Sequence, residues 1–282
     1  MNDARWTWRL LRAGGLWLDG GGMFGVVPKA LWAKRTEVDD SNRIPLQTNC
    51  LLLEREGRRV LVETGFGDKW NERDRSIFAL EHRSVLTALD EIDVEPASIE
   101  HVVVSHLHFD HAAGLTRHEE RLDLESPVVP SFPNAEVIVQ RREWEDALAN
   151  RSTMTRTYLR SHMAPVEDRL RLVDGEADIL PGLSVFPVPG HTWGQQAVRF
   201  TDDEGVVCFP GDVMPTANHA GLAWSMGYDM EPYTNMSTKG ELLRRASEEG
   251  WRIVIDHEPD EAVVRVAAHA QKPGRFVLEA VE

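Results

Sequence analysis

The sequence predicts a mixed α/β chain in which hairpins dominate over regular strand–helix–strand units, and three observations carry that prediction. Short β-rich runs recur along most of the chain. Two of them, TNCLLLE and RRVLVET, are separated only by the turn-prone REG. Helical patterns, by contrast, fall singly between groups of strands.

Taken in order, residues 1–47 show little periodicity but hold Trp6, Trp8, Trp17, Met23, Phe24 and Trp32 around the glycine-rich GGGMFG, and are expected to form an N-terminal arm packed on the body. The REG hairpin follows. In HRSVLTALDEI the apolar positions Val85, Leu86, Leu89 and Ile92 share one helical face, and Pro96 marks the break. HVVVSH is a continuous apolar run, expected as a buried strand ending at His106. Further strands are expected at AEVIVQ, RLRLVD, LSVFPV, QAVRF, GVVCFP and RIVID. Helices are expected at RREWEDALAN and at STKGELLRRASEE, the latter capped by Ser237 and stopped by Gly250. With no repeat, low-complexity tract or Pro/Ser-rich linker, residues 1–282 are read as a single domain.

Composition narrows the function. With 46 acidic and 31 basic residues the formal net charge is −15, which repels a phosphate backbone and excludes nucleic acid as a partner. No apolar run approaches the roughly 20 residues that span a bilayer, so no membrane association is expected. The N-terminal LLRAGGLWLDGGG is short, glycine-broken and lacks a small-residue cleavage site, and a cytoplasmic location is expected. Cys50 and Cys208 both sit in apolar runs, as reduced buried cysteines do, which excludes a disulfide framework.

The chemistry concentrates in Ser105-His106-Leu107-His108-Phe109-Asp110-His111, directly after the buried strand. Three imidazoles and a carboxylate in six positions have no packing rationale. His106 and His108 project to one side if strand geometry continues, while Asp110 and His111 follow in a turn and face a second point nearby, an arrangement suited to two metals. Zinc favours such nitrogen and oxygen donors and brings the pKa of its bound water to about 7. Iron, manganese or cobalt in zinc's place is compatible with the same donors. Further ligands are expected at strand ends, and His191, Asp212 and His257 each follow an apolar run, the first two after a Pro-Gly turn. His82, His101, His118, His162 and His269 have no such spacing.

HLHFDH matches the HxHxDH signature of the metallo-β-lactamase-fold hydrolases, which the chain resembles from about residue 48 to 260. PGHTWGQ, PGD and DHEP match the later ligand positions in the family's order. The resemblance implies a four-layer αβ/βα sandwich with the metals at the edge of its sheets. It implies one zinc held by His106, His108 and His191, a second held by Asp110, His111 and His257, and Asp212 bridging the two. Where the family usually has Asp-Thr-Gly, this chain has Glu63-Thr64-Gly65, a departure expected to affect support behind the metals. The stretches DGGGMFGVVPKALW, NRIPLQTNCLLLE and PTANHAGLAW look like the branch that contains N-acyl homoserine lactone lactonases. Some lactonases carry a Tyr three positions after the bridging Asp; here that position is Pro215.

The expected reaction is lactone or ester opening by a metal-bridging hydroxide, with Asp110 and Asp212 in the catalytic set and Asp212 accepting the hydroxide proton. His219 or Tyr228 would protonate the leaving group, the alternatives being a surface loop histidine for the first and a packing or capping role for the second. Met23, Phe24, Trp32 and Trp224 are candidates for an apolar wall facing an acyl chain, with core packing as their alternative. Trp144, Tyr158 and Met163 are candidates for a lid. The partner is thus a small-molecule lactone or ester, with a homodimer as a candidate assembly. Competing readings are thioester, phosphotriester or β-lactam hydrolysis on the same site, or a persulfide dioxygenase using mainly one iron, which would leave Asp110 and His257 without a clear role. A non-catalytic binding module would have lost ligands, and all seven positions are filled.

Overall fold

The computed structural model describes residues 4–120, 123–154 and 156–281. Strand β1 (Thr7–Asp19) leads into two short helices, α1 (Gly20–Phe24) and α2 (Lys29–Trp32), and then into β2 (Arg43–Arg55) and β3 (Arg58–Val62). The REG turn closes this hairpin as its residues require. Glu56 and Gly57 take φ of 51° and 81°, and Arg55 pairs with Arg58. Next come α3 (Glu72–Phe78), α4 (Val85–Asp90), β4 (His101–Val103), α5 (Phe109–Ala112), β5 (Thr116–His118), β6 (Val128–Pro130), β7 (Glu136–Gln140), α6 (Arg141–Leu148), α7 (Arg160–Met163) and β8 (Leu170–Val173). The remainder holds β9 (Ala177–Leu180), β10 (Leu183–Pro187), β11 (Gln196–Asp202), β12 (Gly205–Phe209), α8 (Pro232–Glu249), β13 (Arg252–Val254), β14 (Val263–Ala268) and β15 (Phe276–Ala280).

One sheet has the order β1-β2-β3-β4-β7-β8, with β3, β4, β7 and β8 mutually parallel. A second runs β15-β14-β13-β12-β11-β10-β9 and is antiparallel except between β12 and β13. β5 and β6 form a separate pair.

By internal contact the chain divides into two compact units, where the sequence reading has one domain with residues 1–47 as an arm. The first unit holds residues 6–16 and 47–174; the second holds residues 4–5, 17–46 and 175–281. The boundary falls within β1 and β2, so residues 7–19 are an edge strand of the first sheet. The core of the first unit sets Leu52, Leu61, Val102, Val137 and Val139 of the strands against Val85, Leu86 and Leu89 of α4 and Trp144 of α6. In the second unit Leu242, Leu243 and Ala246 of α8 pack with Cys208, Ile253, Val264 and Val266. Each large apolar side chain so buried contributes roughly 1.5–3 kcal/mol.

Four local expectations bear on these elements, and two need correction. α8 begins at Pro232 rather than after Ser237, because proline is well placed in a first turn; the Ser237 hydroxyl instead donates to the Tyr233 carbonyl at 3.1 Å. Gly250 does end the helix, in the left-handed region at φ 70°. Trp144, Tyr158 and Met163 do not form a lid: all three belong to the buried core of the first unit, Met163 with 1% of its surface exposed. Both cysteines are buried and reduced, as expected, and burial pushes the Cys208 thiol up to about 12.

Candidate functional site

In the first unit the HLHFDH segment leaves β4 as a turn, and α5 begins within it, so four donor side chains emerge from six residues. His106, His108 and His111 are 0–3% exposed, and Asp110 is 8% exposed. The His106 ring centroid lies 4.5 Å from that of His108 and 4.0 Å from that of His111. The ligand atoms of His106 and His108 come within 4.8 Å of one another.

Buried acceptors hold this turn. Glu63, 2% exposed, accepts the Ser105 backbone N–H at 2.6 Å through Oε1, and its Oε2 stands 3.5 Å from His111 Nδ1. The Ser105 hydroxyl meets His106 Nδ1 at 2.9 Å, making Nε2 the nitrogen that would bind a metal. The Thr64 backbone N–H and hydroxyl both donate to the His111 carbonyl, at 3.0 and 2.7 Å. Glu143, fully buried, accepts the Leu107 N–H at 3.0 Å and the Tyr158 hydroxyl at 3.1 Å, and the Tyr158 ring lies 5.1 Å from that of His108. Burial and the adjacent Glu143 carboxylate push the Tyr158 phenol far above its usual range. Lys69 Nζ donates to the Ala113 and Thr116 carbonyls where the segment ends, and burial lowers its pKa to about 7.

In the second unit His191, Asp212, Asp256 and His257 are 1–4% exposed. Asp212 reaches two imidazoles at once: Oδ2 is 3.1 Å from His191 Nε2, and Oδ1 is 3.3 Å from His257 Nε2. Gln195 of the PGHTWGQ stretch accepts the Asp212 backbone N–H at 3.1 Å. Asp212, Asp256 and His257 offer ligand atoms within 4.8 Å of one another. Asp229 Oδ1 lies 3.0 Å from His191 Nδ1. Imidazole nitrogens and carboxylate oxygens, buried and converging, are the donor set that a divalent transition metal takes, so the residues fit such an ion.

The other sequence candidates lie in the second unit. His219 is 1% exposed and bonded through both nitrogens, its Nε2–H donating to the Met23 carbonyl at 2.8 Å while Nδ1 accepts the Thr216 hydroxyl at 2.8 Å. Burial lowers its pKa to about 4, so it is a neutral side chain that holds Met23 and stacks on Phe24 at 5.1 Å. Tyr228 is half-buried, with its hydroxyl over Gly22, where a Cβ would approach within 2.0 Å. Gly20 likewise makes room for Trp32, whose ring would stand 2.4 Å from any Cβ at that position, so the glycine run serves close packing. Met23, Phe24 and Trp32 are 0–2% exposed, with Phe24 stacked on Trp32 at 5.1 Å and meeting Trp224 edge-on at 5.6 Å. A side chain with no exposed surface offers no wall to a substrate; of the four, only Trp224 keeps an intermediate exposure.

Sequence reasoning missed Asp229, Asp256 and Glu143, and assigned Glu63 only a general supporting role. Asp256 was signalled by its place beside His257. Asp229 and Glu143 carry no local signal, since their partners are far along the chain.

A model of the metallo-beta-lactamase superfamily matches residues 43–257. An N-acyl homoserine lactonase of Bacillus cereus is 27% identical over 187 residues, covering 62% of this chain and 67% of the relative. The chain thus spans about two thirds of the length of that relative. A solved structure of a probable metal-dependent hydrolase from Staphylococcus aureus is 25% identical with a TM-score of 0.86 and full coverage of both chains. AidC, a dizinc quorum-quenching lactonase in complex with a product, shares the fold at 15% identity, with a TM-score of 0.77 over 100% of this chain and 99% of the other.

Proposed function

Because the chain belongs to the metallo-beta-lactamase superfamily and has its fold, we propose that it is a dinuclear zinc hydrolase that opens lactones, with an N-acyl homoserine lactone as the substrate class. The observation that supports the metal reading is the Asp212 carboxylate, each oxygen of which faces a different imidazole Nε2, so that one carboxylate could serve two ions. By the family's pattern His106, His108 and His191 would hold one ion and Asp110, His111 and His257 the other, with Asp212 shared. The substrate class comes from the named activity of the relatives.

When bound, such ions supply a nucleophile at neutral pH and polarise a carbonyl oxygen. The protein's own contribution is to fix the donors before substrate arrives. Glu63, Ser105 and Thr64 hold the backbone and Nδ1 side of the His106–His111 turn, and Gln195 holds the backbone of Asp212. Asp212 would be the carboxylate that takes the proton. With both nitrogens of His219 engaged by Thr216 and Met23, Tyr228 is the proposed donor to the departing alkoxide.

The reading is tested by hydrolysis of a panel comprising an N-acyl homoserine lactone, a simple γ-lactone, a β-lactam, a glutathione thioester and a phosphotriester. The highest kcat/KM is expected on the acyl homoserine lactone. Preference for any other member by tenfold or more would reassign the substrate while leaving the metal site standing.

A further inference from the structure

The start of α8 and the loop before it are fastened to the turn that carries His191. The Met230 backbone N–H donates to the His191 carbonyl at 3.0 Å and the Glu231 N–H to the Gly190 carbonyl at 2.9 Å. From the other side, Trp193 Nε1–H donates to Glu231 Oε1 at 3.0 Å, and the Thr238 hydroxyl donates to the Pro189 carbonyl at 2.8 Å. The approach is close enough to require glycine at position 190: at φ 139°, a Cβ there would stand 2.4 Å from the Asn235 backbone. At the centre of this contact is Asp229, 6% exposed, whose Oδ1 meets His191 Nδ1 at 3.0 Å. Its Oδ2 accepts the Met226 N–H at 3.1 Å and Asn235 Nδ2–H at 2.9 Å. Lys239, one turn beyond Asn235 and fully buried, donates to the Trp224 carbonyl at 2.7 Å and so ties the same loop to the helix.

We propose that Asp229, seated by Asn235, is a positioning residue that fixes the tautomer and ring orientation of His191, and that the start of α8 clamps this ligand. Oδ2 of Asp229 accepts two N–H groups and Oδ1 faces His191, so the carboxylate sits as an acceptor and selects the imidazole form with its proton on Nδ1. That form presents the Nε2 lone pair, on the side of the ring where Asp212 lies at 3.1 Å. Asn235, 1% exposed, holds the carboxylate in register. The proposal rests on the reading of His191 as a metal ligand.

The test compares His191→Ala, Asp229→Asn, Asn235→Ala and, as a control on the exposed face of α8, Glu241→Gln. Zinc affinity is measured by chelator competition, and the His191 Nδ1–H by its ¹⁵N–¹H signal and exchange with water in the zinc-loaded protein. Asp229→Asn keeps the shape but places an NH2 group among donors, so zinc affinity is expected to fall about 10–100-fold, with the Nδ1–H exchanging faster with water. Asn235→Ala is expected to weaken zinc by a smaller factor with the same spectral trend, and it supplies the readout if Asp229→Asn does not fold. Glu241→Gln is expected to match wild type. If His191→Ala weakens zinc binding while Asp229→Asn and Asn235→Ala change neither affinity nor the Nδ1–H signal, the clamp is overturned and the metal site stands. If His191→Ala itself leaves zinc binding unchanged, the ligand assignment falls and the clamp with it.

Discussion

Replacing Glu63 by the family's own residue is expected to damage this protein more than replacing it by glutamine. Glu63 is 2% exposed, and its Oε1 accepts the Ser105 N–H at 2.6 Å while Oε2 lies 3.5 Å from His111 Nδ1. Aspartate is shorter by one C–C bond, about 1.5 Å, so the first contact would open to roughly 4 Å, beyond hydrogen-bond reach. The Ser105 N–H would then be buried without an acceptor, at a cost of about 1–3 kcal/mol. Glutamine keeps the length and can still accept from Ser105, so Glu63→Gln loses mainly the charge assistance, about 1 kcal/mol. In metal-free protein with chelator present, Glu63→Asp should therefore lower Tm by roughly 2–4 °C for each kcal/mol lost, and by more than Glu63→Gln does. Because Ser105 also sets His106, Glu63→Asp should weaken zinc binding about tenfold as well. A Glu63→Asp variant as stable as wild type, with Glu63→Gln the less stable of the pair, would refute the reasoning.

Three further outcomes follow from single side chains. Lys69 has its folded pKa lowered by burial to about 7 from 10.5, so between those values the unfolded chain binds the extra proton and stability rises with pH, by at most about 1.4 kcal/mol per pH unit; urea denaturation should show that rise, and Lys69→Met should flatten it. Cys208, with its thiol pushed up to about 12 by burial, and Cys50, fully buried, should both resist an aromatic disulfide reagent at pH 8 until urea unfolds the chain; rapid labelling of native protein would contradict the burial. Gly250 has φ 70° and open space around its Cβ position, so Gly250→Ala should cost only left-handed backbone strain, about 1–2 kcal/mol, visible as a lower Tm; a neutral or stabilising substitution would show that the helix ends elsewhere.

What the sequence made legible was what local chemistry encodes. The REG hairpin, the strands from AEVIVQ to RIVID and the Gly250 stop were readable because turn residues and apolar runs act within a few positions. β1 was not, since its Arg-Leu-Leu-Arg-Ala-Gly-Gly stretch lacks clean alternation and is held by the neighbouring strand. The start of α8 was misplaced because Ser237 mimics a cap while Pro232 supplies the actual first turn. The candidate His and Asp ligands were legible because imidazole and carboxylate side chains crowd into HLHFDH and recur after apolar runs. The groups that orient those donors were not: Asp229 is 38 residues from His191 and Glu143 is 36 from Leu107, distances over which only the fold brings partners together. His219 shows the opposite error, a loop histidine with the right chemistry whose nitrogens are already committed to Thr216 and Met23.

Whether Asp212 is shared by two metal ions is decided by metal content per chain, measured for purified wild type and for Asp212→Ala alongside lactone turnover. Wild type should hold about two zinc ions per chain, with fewer ions and a loss of turnover by orders of magnitude in the variant. About one iron per chain with oxygen consumption on a persulfide, or a variant that keeps both its metal and its activity, would contradict it.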